Sequence, residues 1–470
     1  MASAIVLIDG NNFYASCEAV LDPGVIGRPL VVLSNNDGCI VSRSAEARAL
    51  GIPMGAPYFQ VQRQLQQHQV IVRSSNYGLY ADMSQRLMAT LEPWVEELEV
   101  YSIDEAFGRL RRPPAQATAK NRLGMPRAGE LEATSPEDQG PEGQGLEGQD
   151  PEGQGPEGPD LTAWGQALRQ RVRRDLGLPV AIGIAPTKVL AKLANRIAKQ
   201  DPQYRQQGVF DLAAVADPDP WLEAVAIEDV WGIGRQLSRW CRLRGIANAR
   251  QLRDMPPGEL RRRCGVVGLR LQLELRGSSC LPLQEVAPAK QETCVSRSFS
   301  TPITTRAELR EAVATYLSRA AEKLRRQQQL AAAIPVFVRS SPFDGTVFYS
   351  NAATVVLPLA SQDTAVLLKA ALPLTDQLFR PHKPLRKAGV LLQGLQPQSL
   401  LQHHLLAPLS SEEQARRQAL LAAVDRLNRR FGRGTLQWAA CGLNPAWTMR
   451  RSRLSRAATT RLSDVPVARA

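Results

Sequence analysis

Residues 99–107 read EVYSIDEAF and set two carboxylates, Asp104 and Glu105, side by side at the end of an apolar, strand-like run. Adjacent acids repel, so the pair needs either a neutralising cation or open solvent. The flanking residues bear on that choice. LEVYSI (98–103) predicts a strand, AFGRL (106–110) a partner strand, and the two acids the tight passage between them. Upstream, Ile5 to Ile8 form a short apolar strand that delivers Asp9 at its C-terminal end. In YADMSQRLMATLEPW, Tyr80, Met83, Leu87 and Leu91 recur at helical spacing. A helix at about 161–176 and a strand PVAIGIA at 179–185 follow. Strand, helix, strand, strand, helix, strand is the split βαβ order of ferredoxin-like folds. There the first strand lies beside the central hairpin, so Asp9 is expected next to Asp104 and Glu105.

Three carboxylates at one rim of a sheet raise one another's pKa unless cations neutralise them. Oxygen-only ligation by few protein groups suits Mg²⁺, which keeps waters and accepts substrate phosphates as further ligands. Two such ions, about 3.5–4 Å apart, activate an attacking hydroxyl and steady a leaving pyrophosphate. The chemistry indicated is nucleotidyl transfer. Taken alone, the tetrapeptide SIDE reads more readily as a solvated strand end; LIDGNNFYASCE in the matching topological position reverses that.

The chain of 470 residues is long enough for three or more domains. Its 58 Lys and Arg against 45 Asp and Glu leave a formal charge of +13, which suits a polyanionic partner without naming one. Seven cysteines (17, 39, 241, 264, 280, 294 and 441) form no CxxC pair and have no His at ligand spacing, so reduced, mostly buried thiols in a cytoplasmic protein are expected. MASAIVLIDGNN shows no basic leader, and no apolar stretch reaches the roughly 18 residues of a membrane helix. Residues 112–160 hold no aromatic side chain and repeat in five-residue units from Pro136 (PEDQG, PEGQG, LEGQD, PEGQG, PEGPD). Such a composition buries too little apolar area to offset its ordering entropy, and a disordered insertion is expected. It carries a net charge of −6, so the remainder carries +19.

DGNNFYASCE, VVLSNNDGCIVSRSAEARALGIPMG, SSNYGLYADMS, VYSIDEAF, GIAPTKVLAKLAN and DVWGIG together resemble the Y-family DNA polymerases. The similarity runs from residue 5 to about 465, broken chiefly by the insertion. It implies an α+β, multidomain right-hand polymerase: a ferredoxin-like palm (1–17 and 78–208, with the 112–160 insertion), small fingers (18–77), a helix-hairpin-helix thumb (209–290), an α/β little finger (291–395) and a C-terminal partner-binding tail (396–470). The activity implied is template-directed, error-prone translesion synthesis of DNA in the SOS response to DNA damage, on a primer-template with dNTPs. No further cluster of acids before Asp9 or after residue 395 suggests a proofreading centre.

The same resemblance places roles on particular residues. Asp9, Asp104 and Glu105 match the metal ligands for two Mg²⁺ ions, with the Gly10 carbonyl as a further ligand. Tyr14, beside Phe13, matches the gate whose ring lies under the sugar and excludes a 2′-hydroxyl. Ser42, Arg48 and Lys199 match positions that hold the incoming triphosphate, where a cationic clamp stabilises developing phosphate charge. Gly10 stands where a bulkier apolar residue is frequent, and Ala45 where some branches carry Tyr.

IEDVWGIGRQLSRWCRLRGIANARQL reads as a helix-hairpin-helix in which Gly232 and Gly234 let backbone N–H groups approach a DNA phosphate. A basic helix, PPGELRRRCGVVGLRLQLELRG, follows. Contacts of this kind hold a duplex without reading its sequence, so affinity should fall steeply with salt. From residue 291, strands alternate with a long helix that shows Leu309, Val313, Leu317, Ala320 and Leu324 on one face; Arg297, on a strand, is a candidate phosphate contact. QHHLL, Gln402 to Leu406, resembles a sliding-clamp peptide without its terminal Phe, and no acid or Cys near His403 and His404 suggests a metal site. The basic tail has Trp438 and Trp447 as anchors, and the resemblance implies a UmuD′-like dimer and a RecA-like filament as partners. Two alternatives remain: a palm-like nucleotide cyclase and a non-catalytic DNA-bound scaffold of a mutagenesis complex.

Overall fold

The computed structural model describes residues 3–111, 161–286, 288–343, 347–400, 411–443, 445–459 and 462–465. The insertion at 112–160 and the peptide at 402–406 lie outside the described residues. In chain order the elements are β1 (Ser3–Gly10), α1 (Phe13–Leu21), β2 (Leu30–Leu33), β3 (Ile40–Arg43), α2 (Ala45–Ala49), α3 (Tyr58–Gln67), β4 (Ile71–Ser74), α4 (Tyr77–Leu91), β5 (Glu97–Val100) and β6 (Glu105–Arg111). After the insertion come α5 (Thr162–Leu176), β7 (Val180–Ala185), α6 (Lys188–Gln200), β8 (Val209–Asp211), α7 (Asp219–Glu223), α8 (Arg235–Arg242), α9 (Ala249–Asp254) and α10 (Pro257–Leu275). The rest is β9 (Thr293–Ile303), α11 (Arg306–Arg326), β10 (Gln329–Arg339), β11 (Ser350–Ser361), α12 (Thr364–Ala371), α13 (Leu374–Leu378), β12 (Leu385–Leu392) and α14 (Ser411–Phe431).

These form two compact units. Met1–Gly24, Tyr77–Val286 and Ala457–Ala470 make the first; Val25–Asn76 and Ala287–Arg456 make the second.

The first unit is built on a sheet of order β5-β6-β1-β7-β8, which is the expected split βαβ order with one parallel strand, β8, added at the edge. All six residues of β7 are buried, as a strand covered on both faces requires. On one face α6 comes so close that a Cβ on Gly183 would lie 2.1 Å from the Asn195 nitrogen and 2.4 Å from the Ala191 oxygen. The Asn195 amide donates to Ala181 O at 2.8 Å across this contact. Val189, Leu193, Ala194 and Ile197 supply the buried stripe of α6. The strand expected through Ile103 ends at Val100 instead. There the chain leaves the ladder, and the amides of Tyr101 and Ser102 both turn to Glu105 O, at 3.1 and 3.0 Å.

Residues 209–286 pack in this same unit. The hairpin helices α8 and α9 are present but short. The basic stretch is not one straight helix: Gly265 adopts φ 64°, ψ −153°, a conformation open to glycine, and breaks α10 into two. Glu274, near the end of α10, is wholly buried. Its carboxylate accepts from Val189 N (3.2 Å), Cys280 N (2.6 Å) and Leu281 N (2.9 Å), and its carbonyl accepts the Thr187 hydroxyl at 2.8 Å. The N-terminus of α6 is thereby fastened to α10.

The second unit holds a small sheet, β3-β2-β4, and a larger antiparallel one, β11-β10-β12-β9. Helix α11 starts at a capping box, with Thr305 Oγ1 accepting from Glu308 N (3.3 Å) and Glu308 Oε2 accepting from Thr305 N (3.1 Å). Leu309, Val313, Leu317, Ala320 and Leu324 are all fully buried, as their spacing predicts. Trp447 joins this core at 5 % exposure, with Trp438 half-buried against it.

All seven cysteines are free, yet only Cys17, Cys241 and Cys441 are buried; Cys39, Cys264 and Cys280 are partly exposed and Cys294 is exposed. The expectation of mostly buried thiols is corrected accordingly: Cys294 points out from a half-solvated strand, where alternation puts every second side chain in water. Among the described residues no helix is long and apolar enough to cross a membrane.

Candidate active site

Asp9 ends β1 and Glu105 opens β6, and the antiparallel register sets the two directly opposite. Asp104 sits in the turn just before, where its carbonyl accepts from Gly10 N at 2.9 Å. Ser102 organises that turn: its hydroxyl donates to Asp104 Oδ1 (2.7 Å) and accepts from Glu105 N (3.1 Å). The three acids therefore share one rim of the sheet, as the topology requires.

They are not gathered into a closed cage. Among the described residues no three His, Cys, Asp or Glu side chains converge closely enough to hold a metal ion as they stand. Two lysines of α6 instead supply the positive charge. Lys199 Nζ lies 2.7 Å from Asp9 Oδ1, and Lys192 Nζ lies 2.9 and 3.1 Å from the Glu105 oxygens. Asp9 nevertheless titrates at about 6. Burial is the largest cause; Lys199 pulls the value down, while Glu105 and Asp104 push it up. Two lysines against three acids leave the rim short of positive charge, and the donors are hard oxygens, so the chemistry of the rim suits a divalent cation.

Lys192 is a residue that sequence reasoning missed. Its ammonium also lies 4.5 Å above the Tyr101 ring, 5.3 Å from Trp231 and 5.7 Å from Phe107. Trp231 Nε1 donates to the Tyr101 hydroxyl at 3.3 Å and closes that aromatic wall. A signal was present: Lys192 precedes Lys199 by two helical turns and shares its face.

Tyr14 stacks on Tyr80, ring centroids 4.3 Å apart and planes 11° apart, with Tyr77 edge-on to both. Tyr80 is fully buried and donates its hydroxyl to Glu18 Oε1 at 2.7 Å. Phe13 is buried; a Cβ on Gly10 would lie 3.0 Å from its ring, which accounts for glycine at that position. Ser42 lies buried on β3, and Arg48 in the last turn of α2, both in the second unit. There Arg297 is exposed on β9, donating to Ser296 O at 2.8 Å. Gly232 takes φ 92°, whereas Gly234 takes an ordinary φ of −83° and has open space around it.

Residues 8–196 match the impB/mucB/samB family, residues 290–405 its C-terminal domain, and residues 418–468 a domain of unknown function, DUF4113. Protein UmuC of Salmonella typhimurium is 40% identical over 460 residues, 98% of each chain. Protein ImpB of Salmonella typhimurium is 38% identical over 98% of this chain and 99% of its own. DNA polymerase IV of Moorella thermoacetica is 26% identical over 91% of this chain and 94% of its own. Among solved structures, a Y-family DNA polymerase chimera of Dbh and Dpo4 superposes with a TM-score of 0.60 at 20% identity, over 84% of this chain and 99% of that one, and so shares its fold. The chain belongs to the impB/mucB/samB family.

Proposed function

We propose that this chain is an error-prone translesion DNA polymerase, a template-directed nucleotidyltransferase of the DNA-damage (SOS) response that works in the cytoplasm without proofreading. The observation that carries the reading is the β1–β6 register, which sets Asp9 opposite Glu105 and next to Asp104 at one rim.

Asp9, Asp104, Glu105 and the Gly10 carbonyl would hold two Mg²⁺ ions, whose chemistry is to acidify the attacking primer hydroxyl and neutralise charge on the phosphates. The protein's own groups do the rest. Lys199, ion-paired with Asp9, would hold the incoming triphosphate, as would Ser42 and Arg48. Tyr14 lies under the sugar and excludes a 2′-hydroxyl, with Phe13 as the packed floor below Gly10. Gly232 and Gly234 present backbone N–H groups to a duplex phosphate, and Arg297 adds a charged contact, so binding is insensitive to base sequence. A UmuD′-like dimer and a RecA-like filament are the partners proposed for the tail, and a sliding clamp for Gln402 to Leu406.

Primer extension opposite an abasic template site tests the reading. The parent should extend, and Asp104→Ala should lose on the order of 100-fold or more in rate, the scale of losing one charge-stabilising group. Equal extension by both proteins would remove the assignment, and absence of extension by the parent with its partners supplied would favour a scaffold.

A further inference from the structure

We infer that the chain between Trp447 and Ser455, inside the domain of unknown function, is an internal strap that fastens the little finger to the fingers. Both ends of the strap are built.

At the little-finger end, Trp447 is buried at 5 % exposure, edge-on to Phe299 at 5.9 Å and to Tyr316 at 5.8 Å. It is part of the core and not a loose tail residue. A few residues on, the chain reaches the fingers and pairs with the end of β4. Ser74 N donates to Arg453 O at 2.9 Å, Arg453 N donates to Ser74 Oγ at 3.0 Å, and Leu454 bridges Ser74 in parallel. The Arg453 guanidinium lies 5.0 Å over the Tyr58 ring.

Two residues in the turn after β2 receive the strap. Asp37 is buried, and its carboxylate accepts from Ser74 Oγ (2.6 Å), Ser452 N (3.1 Å) and Ser452 Oγ (2.9 Å). Without the strap, two of those three donors would be gone. A buried carboxylate left so poorly paired is costly, so this face of the fingers is complete only with the strap in place. Asn36 joins all three parts at once: its Nδ2 donates to Ser298 O on β9 at 2.9 Å, and its Oδ1 accepts from Arg450 N at 3.0 Å. Both residues take left-handed φ, 59° and 52°, which short polar side chains tolerate.

The strap turns fingers and little finger into a single mechanical body. Any protein that took hold of residues 450–454 would have to open it first.

Hydrogen exchange read by mass spectrometry on the full-length chain tests this, with the parent, Ser452→Pro and Asp37→Asn compared. In the parent, peptides covering 71–76 and 449–455 should both exchange slowly. In each variant both peptides should speed up together, by about tenfold, the factor expected when a hydrogen bond to a charged group is lost. Peptides from β1 should not change and report that the fold survives. Free-peptide exchange of 449–455 in the parent, or acceleration confined to one of the two peptides, overturns the proposal.

Discussion

Asp9 faces Glu105 across the antiparallel ladder, and each is neutralised by a lysine from the same helix, Lys199 for the first and Lys192 for the second. The rim thus carries its own removable counter-charges. A cation that enters must compete with two ammonium groups, and those groups are then free for other anions.

Lys192→Ala removes the counter-charge of Glu105 and empties the space among Tyr101, Phe107 and Trp231. Urea unfolding should show a loss of about 2 kcal/mol in metal-free buffer, the cost of leaving a partly buried charged group unpaired. Saturating Mg²⁺ should recover part of that loss, since a cation replaces the missing ammonium. An equal loss with and without Mg²⁺ would show that Glu105 takes no part in cation binding.

Mg²⁺ by itself should raise the melting temperature of the parent. Binding at about 100 times the dissociation constant stabilises by ~2.7 kcal/mol. Differential scanning fluorimetry should register the shift for the parent and not for the double variant Asp9→Asn with Asp104→Asn. A shift of the same size in both would place the ion elsewhere.

Tyr14→Ala should raise ribonucleotide insertion relative to deoxynucleotide insertion, because the ring stacked on Tyr80 can no longer meet a 2′-hydroxyl. Single-nucleotide insertion with matched dNTP and rNTP pairs measures the ratio; an unchanged ratio removes the gate assignment.

Two glycines should behave oppositely. Gly183→Ala drives a methyl group into the α6 backbone and should cost about 3 kcal/mol, with no side chain to swing aside. Gly234→Ala meets open space at an ordinary φ and should cost less than about 0.5 kcal/mol while weakening duplex binding. Chemical denaturation and a filter-binding titration separate the two effects; full duplex affinity in Gly234→Ala would remove the loop from the DNA contacts.

The meeting of Asp9 with Asp104 and Glu105 at one rim was legible in advance because the order of strands and helices fixes which strands are neighbours. The long face of α11 was legible for the same reason. Lys192 was not: a lysine on the polar side of an amphipathic helix looks like every solvated charge until Tyr101 and Trp231 fold over it. The end of β5 at Val100 escaped because two amides turning to one carbonyl leave no mark in hydropathy. Asn36, Asp37 and Ser452 were silent too, since their contacts are hydrogen bonds between residues 262 to 415 positions apart. The break in α10 follows from one backbone angle at Gly265, and a glycine inside an otherwise helical pattern gives no sign of whether it bends.

Glu274, out of reach of solvent, takes the Val189 amide and the Thr187 hydroxyl at the start of α6 and the Cys280 and Leu281 amides of the segment after α10. A rod pinned at its head cannot slide lengthwise without tearing the Thr187 and Val189 bonds together. The reach of both ammonium tips toward the rim is therefore set by a buried buttress on another helix, and a substitution at Glu274 would shift both lysines at once.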